Sequence, residues 1–118
     1  MSNLHSVWDS VIYLYPGYPT MPLSTTDWNW YTSTASSMST KYPVSSTSIK
    51  SENYSAWAND SYNLAIKYVY PGFVAGQTPS STYDNTAIPV VEKNMMLGAS
   101  RLADLITRIY GTNSLFLQ

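Results

Sequence analysis

Apolar residues return at three- and four-residue steps through Leu4, Val7, Trp8, Val11, Ile12 and Tyr15, the stripe of an amphipathic helix. Tyr15-Pro16-Gly17-Tyr18-Pro19 ends it, because neither proline nor glycine readily continues a helix. A second pattern runs over residues 51–72, where Trp57, Ser61, Leu64 or Ala65, and Tyr68 share a face and Pro71-Gly72 supplies the stop. The most regular stripe is the last: Ile88, Val91, Met95, Gly98, Leu102, Leu105 and Ile109, closed by Gly111. Residues 25–42 predict a weaker helix, since their Ser and Thr hydroxyls compete for backbone groups; Thr26 or Asp27 is placed to cap it. The stretches 16–22, 43–48 and 72–84 read as loops. No segment alternates with the period of two that a half-buried strand needs. The expected fold class is all-α, a helical bundle.

Within the last helix, Pro89 is tolerated if the helix begins near residues 84–86, where first-turn N–H groups lack an intrahelical acceptor. Gly98 costs about 1 kcal/mol against Ala, which predicts a second backbone approaching closely there. Glu92 and Arg101 are expected to pair with each other. Trp8 is expected in the core, and Trp57 and Asp60 in helix docking and capping. Trp28, Trp30 and Tyr31 form an aromatic cluster suited either to stacking bases or to helix contacts.

Composition narrows the chemistry. The chain has 118 residues, of which only 11% are charged, and a net charge of −1. A protein that grips nucleic-acid phosphates with Lys and Arg normally shows a basic stripe, and none is present. If this chain handles phosphates, another source of positive charge must serve, and metal ions can. There is no cysteine, which excludes disulfides and thiolate-bound zinc. No run approaches the roughly 18 apolar residues of a membrane span, and no apolar segment follows Met1, so neither a span nor a signal peptide is expected. Asn53-Tyr54-Ser55 and Asn59-Asp60-Ser61 fit the glycosylation acceptor pattern, a lean toward a secretory history.

The single histidine is His5, and Asp9 follows it by four residues. On a helix the two project from one face, one turn apart. Two such side chains can grip a metal ion, or can be an exposed pair without consequence.

Three segments together resemble a known family. Asn3-Leu4-His5-Ser6-Val7-Trp8-Asp9, Trp57-Ala58-Asn59-Asp60-Ser61 and residues 83–106 resemble, in order, motifs of the class I nucleases. These are zinc-dependent, single-strand-specific nucleases and 3′-nucleotidases that share an all-helical fold with the zinc phospholipases C. The family pattern is Asn-Leu-His-x-x-Trp-Asp, then Trp-Ala-x-Glu-Ser, then Ala-x-Pro-Val-x-Glu and Gly-x-Arg-Leu-Ala. Here Asp60 stands where Glu is usual, and Ala99-Ser100 lengthens the step from Gly98 to Arg101-Leu102-Ala103.

The resemblance implies that His5 and Asp9 are ligands of one Zn2+ in a cluster of three, whose other ligands lie upstream of the first motif. It implies that residues 1–118 are a single helical domain or the C-terminal segment of a larger zinc nuclease. Its substrates would be single-stranded DNA or RNA and 3′-nucleotides, cut to release 5′-phosphate products. Zinc lowers the pKa of a bound water toward neutrality and supplies the positive charge that Lys and Arg do not. The implied partner is the missing N-terminal portion of the enzyme, and the implied location is secreted, vacuolar or lysosomal. Two alternatives stand beside this reading: a phospholipase C-like segment, and a non-catalytic helical module descended from such an enzyme.

Overall fold

The computed structural model describes residues 3–10 and 20–111. Every regular element among them is helical: α1 (Leu4–Asp9), α2 (Thr25–Lys41), α3 (Ser46–Lys50), α4 (Tyr54–Leu64) and α5 (Ser81–Tyr110). A π-helical turn over Ala65–Val69 continues α4. The class is all-α, as the hydrophobic periods require. The continuation of the first helix through Val11, Ile12 and Tyr15 falls outside the described residues.

Helix α5 is the spine. Its 30 residues span about 45 Å, and α2, α3 and the π-helical turn all pack on it. It starts at Ser81, earlier than residues 84–86, because the Ser80 hydroxyl accepts the Tyr83 N–H at 3.1 Å and caps it. Pro89 therefore lies inside the helix, where it removes one backbone hydrogen bond to the Asn85 carbonyl. Packing of Ala87, Ile88 and Val91 around that point outweighs the local penalty. Two other starts also differ from the sequence expectation. Ser24 caps α2, with Asp27 three residues on closing a capping box. Ser45 caps α3, so part of the stretch 43–48 is helix and not loop. The hydroxyls that weakened α2 on paper turn back onto its own carbonyls, as Thr32 Oγ1 does to Trp28 at 2.8 Å.

The buried centre is small. Val7, Tyr83 and Ala87 form it, with Leu4, Trp8, Phe73, Ile88 and Val91 packed around. Ala87 is fully buried, and its short side chain lets α1 come close to α5. Trp8 joins this core as expected. Its Nε1–H donates to the Tyr83 hydroxyl at 2.7 Å, and that hydroxyl donates to the Val69 carbonyl at 2.7 Å. One phenol thus ties α1, the π-helical turn and α5 together. The Val69 carbonyl is free to accept because it sits at a helix end, where carbonyls have no intrahelical donor.

The long stripe on α5 divides in two. Ile88 and Val91 are packed, whereas Met95, Leu102, Leu105 and Ile109 are between 44% and 62% exposed. At Gly98 a Cβ would meet nothing within 4 Å, so the close backbone approach expected there does not occur. A larger side chain at Gly98 would therefore meet no overpacking from the described residues. The chain presents 8968 Å² of accessible surface, against about 6400 Å² for a typical folded monomer of its mass. Much apolar surface on α5 lacks a cover among the described residues.

Glu92 and Arg101 do not pair. Nine positions apart on one helix, they point to opposite sides, about 13 Å apart along the axis. Glu92 instead accepts from the Tyr42 hydroxyl at 2.6 Å and from Lys41 Nζ at 2.9 Å, fastening the end of α2 to α5. Burial pushes the Glu92 carboxyl up, but the hydrogen bonds from Tyr42 and Lys41 outweigh it and hold the group below the usual glutamate value of 4.5. A depressed carboxylate contributes stability above its unfolded pKa and loses it as pH falls through the folded one. Lowering the pH below about 4.5 should therefore loosen α2 from α5. Urea melts at pH 7 and pH 3.5 are expected to show a smaller acid loss in Glu92→Gln than in the parent chain; equal losses would show that this contact does not carry the acid response.

Candidate metal centre

Helix α1 is only six residues long and is held at both ends by side chains. The Asn3 carboxamide accepts the Ser6 N–H at 2.8 Å, while Ser6 Oγ accepts the Asn3 N–H at 3.2 Å. At the other end, Ser10 Oγ donates to the Ser6 and Val7 carbonyls, both at 2.9 Å. A short helix is marginal alone, and these caps, with Val7 and Trp8 in the core, fix its rotation. Burial of Val7 turns His5 and Asp9 outward.

His5 Nε2 lies 2.9 Å from Asp9 Oδ2, and the two side chains are 86% and 64% exposed. They share a face, as their spacing requires, but that face opens to solvent and not into a cleft. Their separation fits half of a zinc site. Two ligand atoms at about 2.1 Å from a tetrahedral ion stand about 3.4 Å apart, so a small rotamer change opens the present contact into a chelate. Neither side chain has another hydrogen-bond or ion-pair partner among the described residues. No group of three or more His, Cys, Asp or Glu that could hold a metal ion occurs among the described residues. The pair supplies two ligands, and a closed site needs more from elsewhere.

The remaining candidates fall into distinct places. Trp57 does dock α4 on α5, by facing the Arg101 guanidinium at 3.9 Å from its ring centroid. Asp60 is exposed and caps nothing among the described residues. Trp30 and Tyr31 meet edge to face at 4.9 Å, while Trp28 stands largely exposed. One carboxylate oxygen of Asp84, Oδ1, is buried without a hydrogen-bond partner. Two positioning residues were not legible from the sequence. Asn3 is the cap that sets α1, and a polar residue just before a periodic run was the available signal. Tyr83 had no local signal, because its partners Trp8 and Val69 are distant in the chain.

The structure is an all-α scaffold with a His and an Asp one turn apart on a capped, core-anchored helix. Comparison with known proteins places it more closely. The chain matches the S1/P1 nuclease family over residues 1–111 and belongs to that family. It is 39% identical over 54 residues to Endonuclease 1 of Arabidopsis thaliana, covering 46% of this chain and 18% of that protein. Endonuclease 3 of the same plant is 41% identical over 54 residues, again 46% of this chain and 18% of the relative. Endonuclease 4 is 38% identical over 56 residues, 48% of this chain and 19% of the relative. No solved structure matches. The chain is thus related to these endonucleases by descent, and the matched segment is less than a fifth of each of them. No helix among the described residues is long and apolar enough to cross a membrane.

Proposed function

We propose that this chain is the C-terminal segment of a zinc-dependent nuclease and 3′-nucleotidase that cuts single-stranded DNA or RNA to 5′-phosphate products. The observation that carries the reading is the His5–Asp9 pair, side by side on α1, facing outward and without other partners among the described residues. Zinc, when bound, supplies the Lewis-acid charge that neutralises a phosphate. His5 presents an imidazole nitrogen and Asp9 a carboxylate oxygen to such an ion. Tyr83, through Trp8, holds the helix that carries both. The exposed half of the α5 stripe supports the same reading, since it offers a preformed apolar face for the preceding portion of the polypeptide. Secretion, as in the family resemblance, belongs to this proposal.

The test separates the segment from the whole. Residues 1–118 alone, freed of contaminating nuclease and given zinc, should leave single-stranded DNA, RNA and 3′-nucleotides uncut. Addition of the preceding portion, joined or as a second chain, should produce cutting that a chelator abolishes. Chelator-sensitive cleavage by the lone chain, lost in His5→Ala, would falsify the segment reading.

A further inference from the structure

We propose that Asn53, at the corner where the chain turns into α4, carries an N-linked glycan, and that Asn59, one triplet further on, does not. The inference rests on the secretion included in the proposed function. It separates two triplets that the acceptor pattern alone treats as equals.

Asn53 is the last of the residues 51–53 that join α3 to α4. Its backbone, at φ −79° and ψ 85°, forms a tight inverse turn in which the Tyr54 N–H donates to the Glu52 carbonyl at 3.0 Å. The side chain stands exposed at this bend, and its two polar atoms have separate tasks. Oδ1 accepts the Ala56 N–H at 2.9 Å and caps α4, while Nδ2 has no hydrogen-bond partner among the described residues. A glycan is attached through Nδ2 and leaves Oδ1 where it is, so the modified residue still caps the helix. Ser55, the third member of the triplet, is exposed in the first turn of α4.

Asn59 is exposed too, but it lies in the body of α4. There the backbone groups of residues 59–61 are tied to partners four residues away, so a transferase reaches this triplet in the folded chain only by melting the helix. Helix ends open at far lower cost than helix interiors. Freeing residues 53–55 breaks the tight turn and the Asn53 cap and leaves the rest of α4 formed. The middle residues also differ, and that difference holds before folding as well. Tyr54 is neutral and 67% exposed, whereas Asp60 is an exposed carboxylate beside its acceptor amide. The sugar donor is a lipid-linked diphosphate, an anion that a neighbouring carboxylate repels.

The transfer balances without further reagents. Asn53 Nδ2 bonds to the anomeric carbon of the sugar, and the bond from that carbon to the diphosphate oxygen breaks. Its electron pair leaves with the lipid diphosphate, and Nδ2 gives up one proton.

The test uses the complete protein secreted from a eukaryotic host behind a foreign leader, which supplies the compartment whatever the native one is. Glycoamidase digestion in heavy-oxygen water turns a glycan-bearing asparagine into labelled aspartate, located by fragment mass spectrometry. Label is expected at position 53 and absent at position 59. Asn53→Asp and Ser55→Ala should each remove the mass of one glycan. The first keeps a capping carboxylate and the second keeps the Asn53 cap, so loss in both reports the acceptor and not the fold. Asn59→Gln should leave the glycan mass unchanged. An unlabelled Asn53 would overturn the site, and label at Asn59 would overturn the choice between the triplets. Neither result bears on the nuclease reading, which the cleavage assay decides separately.

Discussion

Replacing His5 with Ala in the complete, zinc-loaded protein should lower cleavage of single-stranded DNA by more than about 100-fold. Loss of a group that merely supports a metal ligand typically costs 10–100-fold in affinity or activity, and loss of a ligand should exceed that. The variant should keep its stability, because His5 is exposed and packs on nothing buried. Zinc content should fall with activity. Normal zinc content and activity in His5→Ala would remove His5 from the metal centre.

The second large effect concerns folding. Tyr83→Ala should destabilise the chain by about 3–5 kcal/mol, the range for losing a buried aromatic. Tyr83→Phe separates packing from hydrogen bonding. It keeps the ring against Phe73 but strands the Trp8 indole N–H and the Val69 carbonyl, which should cost about 2–4 kcal/mol. Among the described residues three form the central buried cluster, so little else there compensates. Urea denaturation followed by tryptophan fluorescence measures both changes, and hydrogen exchange should show α1 losing protection first. A Tyr83→Phe variant as stable as the parent would mean that the phenol does not hold α1 in place.

These two outcomes meet at α1. The proposed metal-ligand pair is local chemistry, and the helix that presents it depends on a distant phenol. Loss of Tyr83 should therefore reduce zinc binding without touching either ligand.

Several features were legible without a structure because their physics is local. Helical period marked α4 and α5, and the absence of a two-residue period excluded strands. The four-residue step from His5 to Asp9 placed both on one face, because a helix repeats at 3.6 residues whatever surrounds it. The motif order carried family membership. What failed depended on contacts across the chain. Gly98 looked like a packing glycine, yet only a neighbouring helix can make it one, and none among the described residues comes within 4 Å of its Cβ position. Glu92 and Arg101 looked complementary by charge, but the turn of α5 sends one to Lys41 and Tyr42 and the other to Trp57. Residue spacing along one helix determined which side chains travel together. The partners they meet, and which half of the α5 stripe is covered, were decided only when α1, α2, α3 and α4 took their places around that spine.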